Sequence, residues 1–447
     1  MIKNNSVHLC FIVFILLASV LKTNAQTTVW TLNTAIEDAK ANRKSLLSLK
    51  TAHEIHQLKT KELNAKYLPR VSFDYKYQYN PIIASNIIPV GEFDSNLPTA
   101  AKKAIKMGAN YTQRTGVIVQ QPLLDLSISK LIKESKLQEK LAILNEKEAV
   151  LELTYEVKKA YFNVLLAEEQ IKTAITDTIR TELTLNTVTQ KYRNQRALKA
   201  NLNDTKVTHN NTIQKYRNAV NNALVLKQYL LYLTGKESAH AASLELEKFS
   251  MNQGITAVDE NLIECLPQIE MLKTENEVLQ NKQKMERIKH NPIVSFEGYL
   301  GADQFADNLN PFKQNSWYGN SYVGVSLKLP ILFGENSAKR IQQLKFQQEQ
   351  NNYQIIEEVN KQKYNALNAS TAHNNTLQQL KTVLENCRLT SETLTVYKER
   401  YAFDQISLNE LNDKEIQLQN LKLTHNELQK ELLLSWLDWE KATGSLK

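Results

Sequence analysis

Glycine is scarce, with 11 residues in a chain of 447, and nowhere are they spaced as a phosphate loop, a dinucleotide fingerprint or a nucleophile elbow. Each of those devices needs glycine where the backbone turns sharply or approaches a ligand, so the common nucleotide-binding and hydrolase classes fall away. Long apolar runs are missing as well. The longest, Leu9 to Leu21, is shorter than the about 20 residues a membrane-spanning helix needs. With Lys3 before it and Lys22-Thr23-Asn24-Ala25 after it, this run reads as a secretory signal over residues 1–25, leaving a mature chain from Gln26. Cysteine is nearly absent. Cys10 lies at the start of the apolar run and not after it, so it is no lipid acceptor and the mature chain is expected to be unlipidated. Cys265 and Cys387 are read as buried small residues, with a disulfide between them as the alternative. Charge of one sign is nowhere concentrated: the formal +8 becomes +6 once Lys3 and Lys22 leave, and no basic block marks a nucleic-acid partner. His53-Glu54-Ile55-His56 has two residues between its histidines where the zinc-protease motif has three. No catalytic, cofactor-binding or metal-ligating residues are therefore assigned, and the chain is not read as an enzyme.

What the chain does have is a repeat. Pro69-Arg70-Val71-Ser72-Phe73-Asp74 returns as Pro292-Ile293-Val294-Ser295-Phe296-Glu297, a displacement of 292 − 69 = 223 residues. Gly116-Val117 leading to Pro122-Leu123-Leu124 returns as Gly324-Val325 leading to Pro330-Ile331-Leu332. Tyr192 with Leu202-Asn203-Asp204 returns as Tyr401 with Leu411-Asn412-Asp413, and Thr234-Gly235 as Thr443-Gly444. The later echoes lie 208 or 209 apart, so the first copy (26–240) carries a loop about 15 residues longer than the second (241–447). That loop falls at about 81–109.

Heptad-like spacing fills most of each copy. Leu137, Leu141, Leu144, Leu151, Tyr155, Phe162 and Leu165 form one stripe, and Ile143, Val150, Val157, Val164 and Ile171 form a second beside it. Two stripes mean two sets of neighbours, as in the wall of a helical cylinder. Helices are expected over about 31–66, 123–192 and 199–233 in the first copy, and about 258–290, 335–401 and 405–441 in the second. In each copy the two short helices together match the long one in length, which predicts that they stack end to end beside it.

Between the helices lie period-two segments, at about 69–80, 110–121, 292–302 and 317–329. Val71, Phe73, Tyr75, Tyr77 and Tyr79 alternate with Ser72, Asp74, Lys76 and Gln78, while Val323, Val325, Leu327 and Leu329 alternate with Tyr322, Gly324, Ser326 and Lys328. Alternation over about 11 residues with aromatics at the ends suits strands that cross an outer membrane, with Tyr79, Tyr111, Trp317 and Tyr318 as the interfacial girdle. A small soluble sheet capping a helical bundle is the competing reading. Four lipid-exposed strands would leave unpaired edges, so several copies have to share one barrel.

The ordered set of features resembles the TolC-like outer-membrane efflux proteins over essentially the whole mature chain. It rests on the duplicated order of helix, strand, strand, long helix and helix, the proline-led strands at Pro69 and Pro292, and the strand exits Gln121-Pro122-Leu123 and Leu329-Pro330-Ile331. The turn motif from Tyr401 to Asp413 completes it. The resemblance implies a mainly α fold with a β-barrel portion: a homotrimer with a twelve-stranded barrel in the outer membrane of a Gram-negative bacterium and a coiled-coil α-barrel in the periplasm. It also implies docking to a periplasmic adaptor and an inner-membrane pump, in efflux or type I secretion. A periplasmic coiled-coil adaptor or scaffold is the alternative.

The family usually has glycine in the turn after the aromatic residue, where this chain has Gln195 and Asp404. In the family two acidic residues three apart narrow the periplasmic mouth, and the matching positions are Glu410 and Asp413, with Asn201 and Asp204 in the first copy. In a trimer they would form rings of carboxylates open to cations and protons. Ser407-Leu408-Asn409-Glu410 also reads as a capping box, and the two roles are compatible. Tyr192, Arg193, Arg196, Arg400 and Tyr401 stand beside the turns as candidate tethers or adaptor contacts.

Overall fold

A computed structural model of the chain describes residues 29–93, 96–248, 255, 260–307, 317–331 and 336–446. The expected leader, 1–25, lies outside the described residues. Among the described residues eight α-helices and six strands follow one another: α1 Leu32–Asn42, α2 Lys44–Asn64, β1 Arg70–Tyr79, β2 Ser85–Ile88, β3 Lys103–Lys106, β4 Tyr111–Leu124, α3 Leu126–Arg193, α4 Lys199–Leu233, α5 Glu260–Glu264, α6 Pro267–Ile288, β5 Ile293–Ala306, β6 Trp317–Lys328, α7 Asn336–Ala402 and α8 Leu408–Thr443. The described residues divide into two compact units, one within 29–48, 146–266 and 358–446, the other within 49–145 and 267–357. Each unit draws on both sequence copies, because the long helices run from one unit into the other.

In the first unit the core gathers Ile36, Val157, Tyr161, Phe162, Val164, Leu230, Leu231 and Trp436. The Tyr161 hydroxyl meets the carbonyls of Trp30 and Glu247 at 2.9 and 2.8 Å, where Trp30 and Leu246 form a parallel bridge. The single helix expected over 31–66 is two. Arg43 leaves helical geometry at ψ 114° because its guanidinium is committed to Tyr232, donating to the backbone oxygen and the hydroxyl, both at 3.1 Å, with its carbon 4.3 Å from the ring centre. The cysteines also depart from expectation. Cys265 is exposed and Cys387 half-buried, and both are free thiols. Ile263 and Leu266 take the core positions around Cys265 and turn it outward.

The second unit holds helices joined by amides and hydroxyls. Thr60 and Ser135 share a buried hydrogen bond of 2.9 Å, Gln283 donates to Gln348 at 3.0 Å, and Asn351 donates to the Leu272 carbonyl at 2.8 Å. His53, half of the abortive zinc motif, lies 3.1 Å from the Gln57 amide nitrogen and 3.7 Å from Glu139.

The same unit carries a four-stranded antiparallel sheet in the order β1-β4-β5-β6, so the central pair joins the two sequence copies and β1 and β6 are its edges. The longer first loop contributes the separate β2-β3 ribbon. Register sorts the side chains sharply. All charged residues of the four strands (Arg70, Asp74, Lys76, Arg114, Glu297, Asp303 and Lys328) share one face. The other face presents Val71, Phe73, Tyr75, Val117, Leu300, Val323, Val325 and Leu327, every one exposed, with Phe73 at 72%. That face also bears a polar pair: Gln113 donates to Gln304 at 2.6 Å and accepts from the Tyr75 hydroxyl at 2.8 Å, both glutamines being buried.

Tyr161→Phe keeps the ring and removes the hydroxyl that ties α3 to the Trp30 and Glu247 carbonyls, while Trp30 O still accepts from Glu247 N at 2.9 Å. The substitution is expected to cost about 1–3 kcal/mol, read as a lower thermal midpoint of the helical circular dichroism signal.

Candidate functional site

Two helical turns, one per sequence copy, hold the candidate gate and tether residues in the first unit. Helix α3 ends at Arg193 and α4 begins at Lys199; α7 ends at Ala402 and α8 begins at Leu408. Gln195 and Asp404 occupy the left-handed region with φ of 60° and 56°. Around them the backbone closes identically. Gln195 N donates to the Tyr192 oxygen at 3.0 Å and Arg196 N to the Lys191 oxygen at 2.7 Å, while Asp404 N donates to Tyr401 at 3.1 Å and Gln405 N to Arg400 at 2.9 Å. These are the paired bonds of a Schellman motif, made without the glycine that usually supplies the positive φ. A non-glycine residue there costs about 1–2 kcal/mol.

Asp404 has a counterweight to that cost. Its carboxylate accepts hydrogen bonds from Lys191 Nζ and from Arg196, both in the turn region of the other copy. Lys191 also donates to the Tyr401 backbone oxygen and stands 4.0 Å from the centre of the Tyr401 ring. Lys191 and Tyr401 are buried, and an apolar cluster of Val188, Leu202, Leu394, Leu408, Leu411 and Leu418 packs with Tyr401. The hydrogen bond from Lys191, aided by the charges of Lys191 and Arg196, holds the Asp404 carboxyl below its ordinary value. Burial and the neighbouring Asp404 charge push the Tyr401 hydroxyl up. Of the five residues expected beside the turns, the clamp uses Arg196 and Tyr401, whereas Tyr192, Arg193 and Arg400 are exposed. Lys191 and Asp404 were not expected in it. A polar residue in a position that favours glycine was the one sequence signal for Asp404, and nothing marked Lys191.

The helix starts differ between the copies. At α8, Ser407 accepts from Glu410 N at 3.2 Å while Glu410 Oε2 accepts from Ser407 N and Oγ at 2.7 and 2.9 Å, a complete capping box. At α4 the equivalent cap is Leu198, which has no side chain able to accept, and Asn201 replaces the glutamate. Hydrogen bonds from the Ser407 backbone and hydroxyl, with the Arg400 charge, lower the Glu410 carboxyl. Glu410, Asp413 and Asp204 are exposed and Asn201 half-buried. Glu410 and Asp413, three apart on α8, project from the same side of it.

Farther along α3 and α8 lies a buried ionic group. Arg180 bridges Asp177 at 3.6 Å and Glu415, Lys422 reaches Asp177 at 3.6 Å, and the Thr184 hydroxyl donates to Glu415 at 3.2 Å. Two carboxylates and two cations balance there, so charge is neutralised inside the helix packing.

Of the expected girdle, Tyr79 and Tyr111 are direct cross-strand partners with ring centres 4.9 Å apart, and Trp317 shares their apolar face opposite Gln304. Tyr318 does not. It pairs with Asp303 on the charged face, beside Phe305 at 6.2 Å, because each step along a strand reverses the side.

No family model and no curated protein sequence matches the chain. Its fold, however, is that of solved outer-membrane channels. The Campylobacter jejuni CmeC outer membrane channel matches with a TM-score of 0.73 at 15% identity, over 92% of this chain and 85% of that one. The outer membrane protein VceC of Vibrio cholerae matches at 0.74 and 14%, over 92% and 96%. The open state of the Neisseria gonorrhoeae MtrE outer membrane channel matches at 0.70 and 17%, over 92% and 88%. The TolC-like fold expected from the duplicated order is thus the fold observed.

The two left-handed residues separate strain from clamping. Gln195→Gly is expected to stabilise the chain by about 1 kcal/mol, whereas Asp404→Gly loses the clamp as it relieves strain and gains nothing; thermal midpoints compared at one heating rate check this.

Proposed function

We propose that this chain is the outer-membrane exit duct of a multi-component export system, a passive channel gated by its helical turns. One observation carries the reading: a four-stranded sheet with every charge on one face, exposed aliphatic and aromatic side chains on the other, and two open edges, in a fold shared with outer-membrane channels. An apolar face of that size is costly in water and suited to lipid. In hydrocarbon the edges need partners, which β6 of one copy and β1 of the next supply to each other. Three copies of four strands give a twelve-stranded barrel with room for a conduit. The helices then form the periplasmic part, where an adaptor protein and an inner-membrane pump engage it. Tyr79, Tyr111 and Trp317 sit at the lipid-water boundary.

In this reading the Lys191-Asp404-Arg196 clamp holds the two turns of a protomer together in the resting state, and Glu410 and Asp413 present carboxylates to permeating cations, with Asn201 and Asp204 in the matching positions. The capping box does not compete with that role, since it engages one oxygen of Glu410. The clamp has a defined pH dependence. The Asp404 pKa is lower folded than unfolded, so its contribution is fully present above the ordinary carboxylate value and is lost as pH falls through the depressed one.

Fractionation is the first test: the mature protein is expected to stay with outer membranes after carbonate washing, and release would defeat the channel reading in favour of a periplasmic adaptor or scaffold. In planar bilayers, Lys191→Met with Asp404→Asn is expected to raise resting conductance at neutral pH, while the unmutated channel shows that rise only at pH below the usual carboxylate range. Glu410→Ala with Asp413→Ala is expected to weaken block by divalent cations. Unchanged block would leave the capping box as the whole role of Glu410.

A further inference from the structure

The charged face of the sheet contains an arrangement that strand pairing alone does not explain. Lys76 is the direct cross-strand partner of Arg114, Arg114 is the partner of Asp303, and Asp303 is the partner of Tyr318. One row across the sheet therefore carries two cations beside one carboxylate. Like charges directly opposite on neighbouring strands repel and destabilise the pair.

Arg114 is also held in place with care. The Tyr299 ring lies flat across two glycines: a Cβ on Gly116 would stand 2.6 Å from the ring, and one on Gly301 would stand 2.2 Å from the Thr115 oxygen and 2.3 Å from the Tyr299 hydroxyl. That hydroxyl donates to the Thr115 oxygen at 3.1 Å and accepts from Arg114 Nε at 3.3 Å. The guanidinium carbon sits 4.7 Å from the ring centre, and Tyr322, the direct cross-strand partner of Tyr299, stacks on it with ring centres 5.8 Å apart. Asp303 is fixed between Arg114 at 3.6 Å and the Asn320 amide at 3.1 Å. Tyr299 is 5% exposed, yet the cation it supports is 47% exposed, against 24% for Asp303. The aromatic is pressed into the wall, and the positive charge is left facing outward from it.

We propose that Lys76 and Arg114 form an anion-favouring belt on the inner wall of the strand barrel, a pair of specificity-determining residues that draws negatively charged permeants through it. The inference rests on the channel reading, in which the charged face lines the bore. The acid of the next row, Asp74, and Glu297 nearer the strand starts keep the belt local. Over the whole face, Arg70, Lys76, Arg114 and Lys328 stand against Asp74, Glu297 and Asp303, leaving one net positive charge per copy. The flat Tyr299 serves the belt in two ways: it keeps a bulky side chain out of the bore, and it fixes the guanidinium so that its charge stays in one place. An asparagine or glutamine would have satisfied Asp303 without placing two cations side by side.

The test is the reversal potential of the assembled full-length channel under a potassium chloride gradient. Lys76→Gln and Arg114→Gln are each expected to shift it toward cation selectivity, the double variant more than either, and Asp303→Asn is expected to shift it toward anion selectivity. Tyr299→Phe, which keeps the ring and removes the hydroxyl that positions Arg114, gives a smaller shift of the same sign as Arg114→Gln. The shifts shrink between 0.1 M and 1 M salt, where the screening length falls from about 10 to about 3 Å. Unchanged reversal potentials in conducting Lys76→Gln and Arg114→Gln channels overturn the proposal. Should Arg114→Gln fail to assemble, Lys76→Gln alone decides, since Lys76 takes no part in the Tyr299 contacts. Absence of any conductance from the unmutated protein defeats the channel reading itself.

Discussion

A strand face can meet lipid, but a strand edge cannot. Side chains on the apolar face of this sheet need only be hydrophobic, whereas each unpaired N–H and C=O along β1 and β6 would cost several kcal/mol in hydrocarbon. On the membrane reading, that constraint sets the rest. It requires copies in a ring, the ring requires that each copy curve and register alike, and the register in turn places every strand charge on the bore side. The sequence duplication answers the same need from within the chain, because the central β4-β5 pairing joins the two halves with no edge between them.

The turns show how a duplicated unit acquires different ends. Backbone geometry is the same in both, down to the left-handed residue and its paired hydrogen bonds. The side chains have parted company. One copy supplies cations, Lys191 and Arg196, and starts its next helix with an uncapped Leu198; the other supplies Asp404 and a complete capping box at Ser407 and Glu410. Complementary charge across two otherwise equivalent turns is what allows them to hold each other, which identical turns would not do.

Much of the fold was legible because it is written in periodicity. Period-two alternation with Tyr79 and Trp317 at strand ends, proline before Arg70 and Ile293, and paired heptad stripes through Val157 and Val164 all depend on local spacing, which a single chain displays openly. What escaped depended on contacts between distant residues. Arg43 breaks a regular helical pattern because Tyr232, 189 residues away, claims its guanidinium. Cys265 faces solvent because Ile263 and Leu266 hold the core. At the turns, Glu410 was visible through its three-residue spacing from Ser407, but Lys191 looked like any helix-terminal lysine until Asp404 and the Tyr401 ring stood beside it. Tyr318 lies one step from Trp317, and one step in a strand is the difference between faces.

The glutamine pair in the apolar face has a bearing on how such a chain reaches its membrane. Gln113 belongs to the first copy and Gln304 to the second; the Gln113 amide donates across to Gln304, while its carbonyl accepts from Tyr75 of its own hairpin. On the membrane reading, either hairpin entering hydrocarbon alone would do so without the Gln113–Gln304 bond. On that reading the bond favours pairing of the two halves before either enters the bilayer, so the four strands act as one inserting unit.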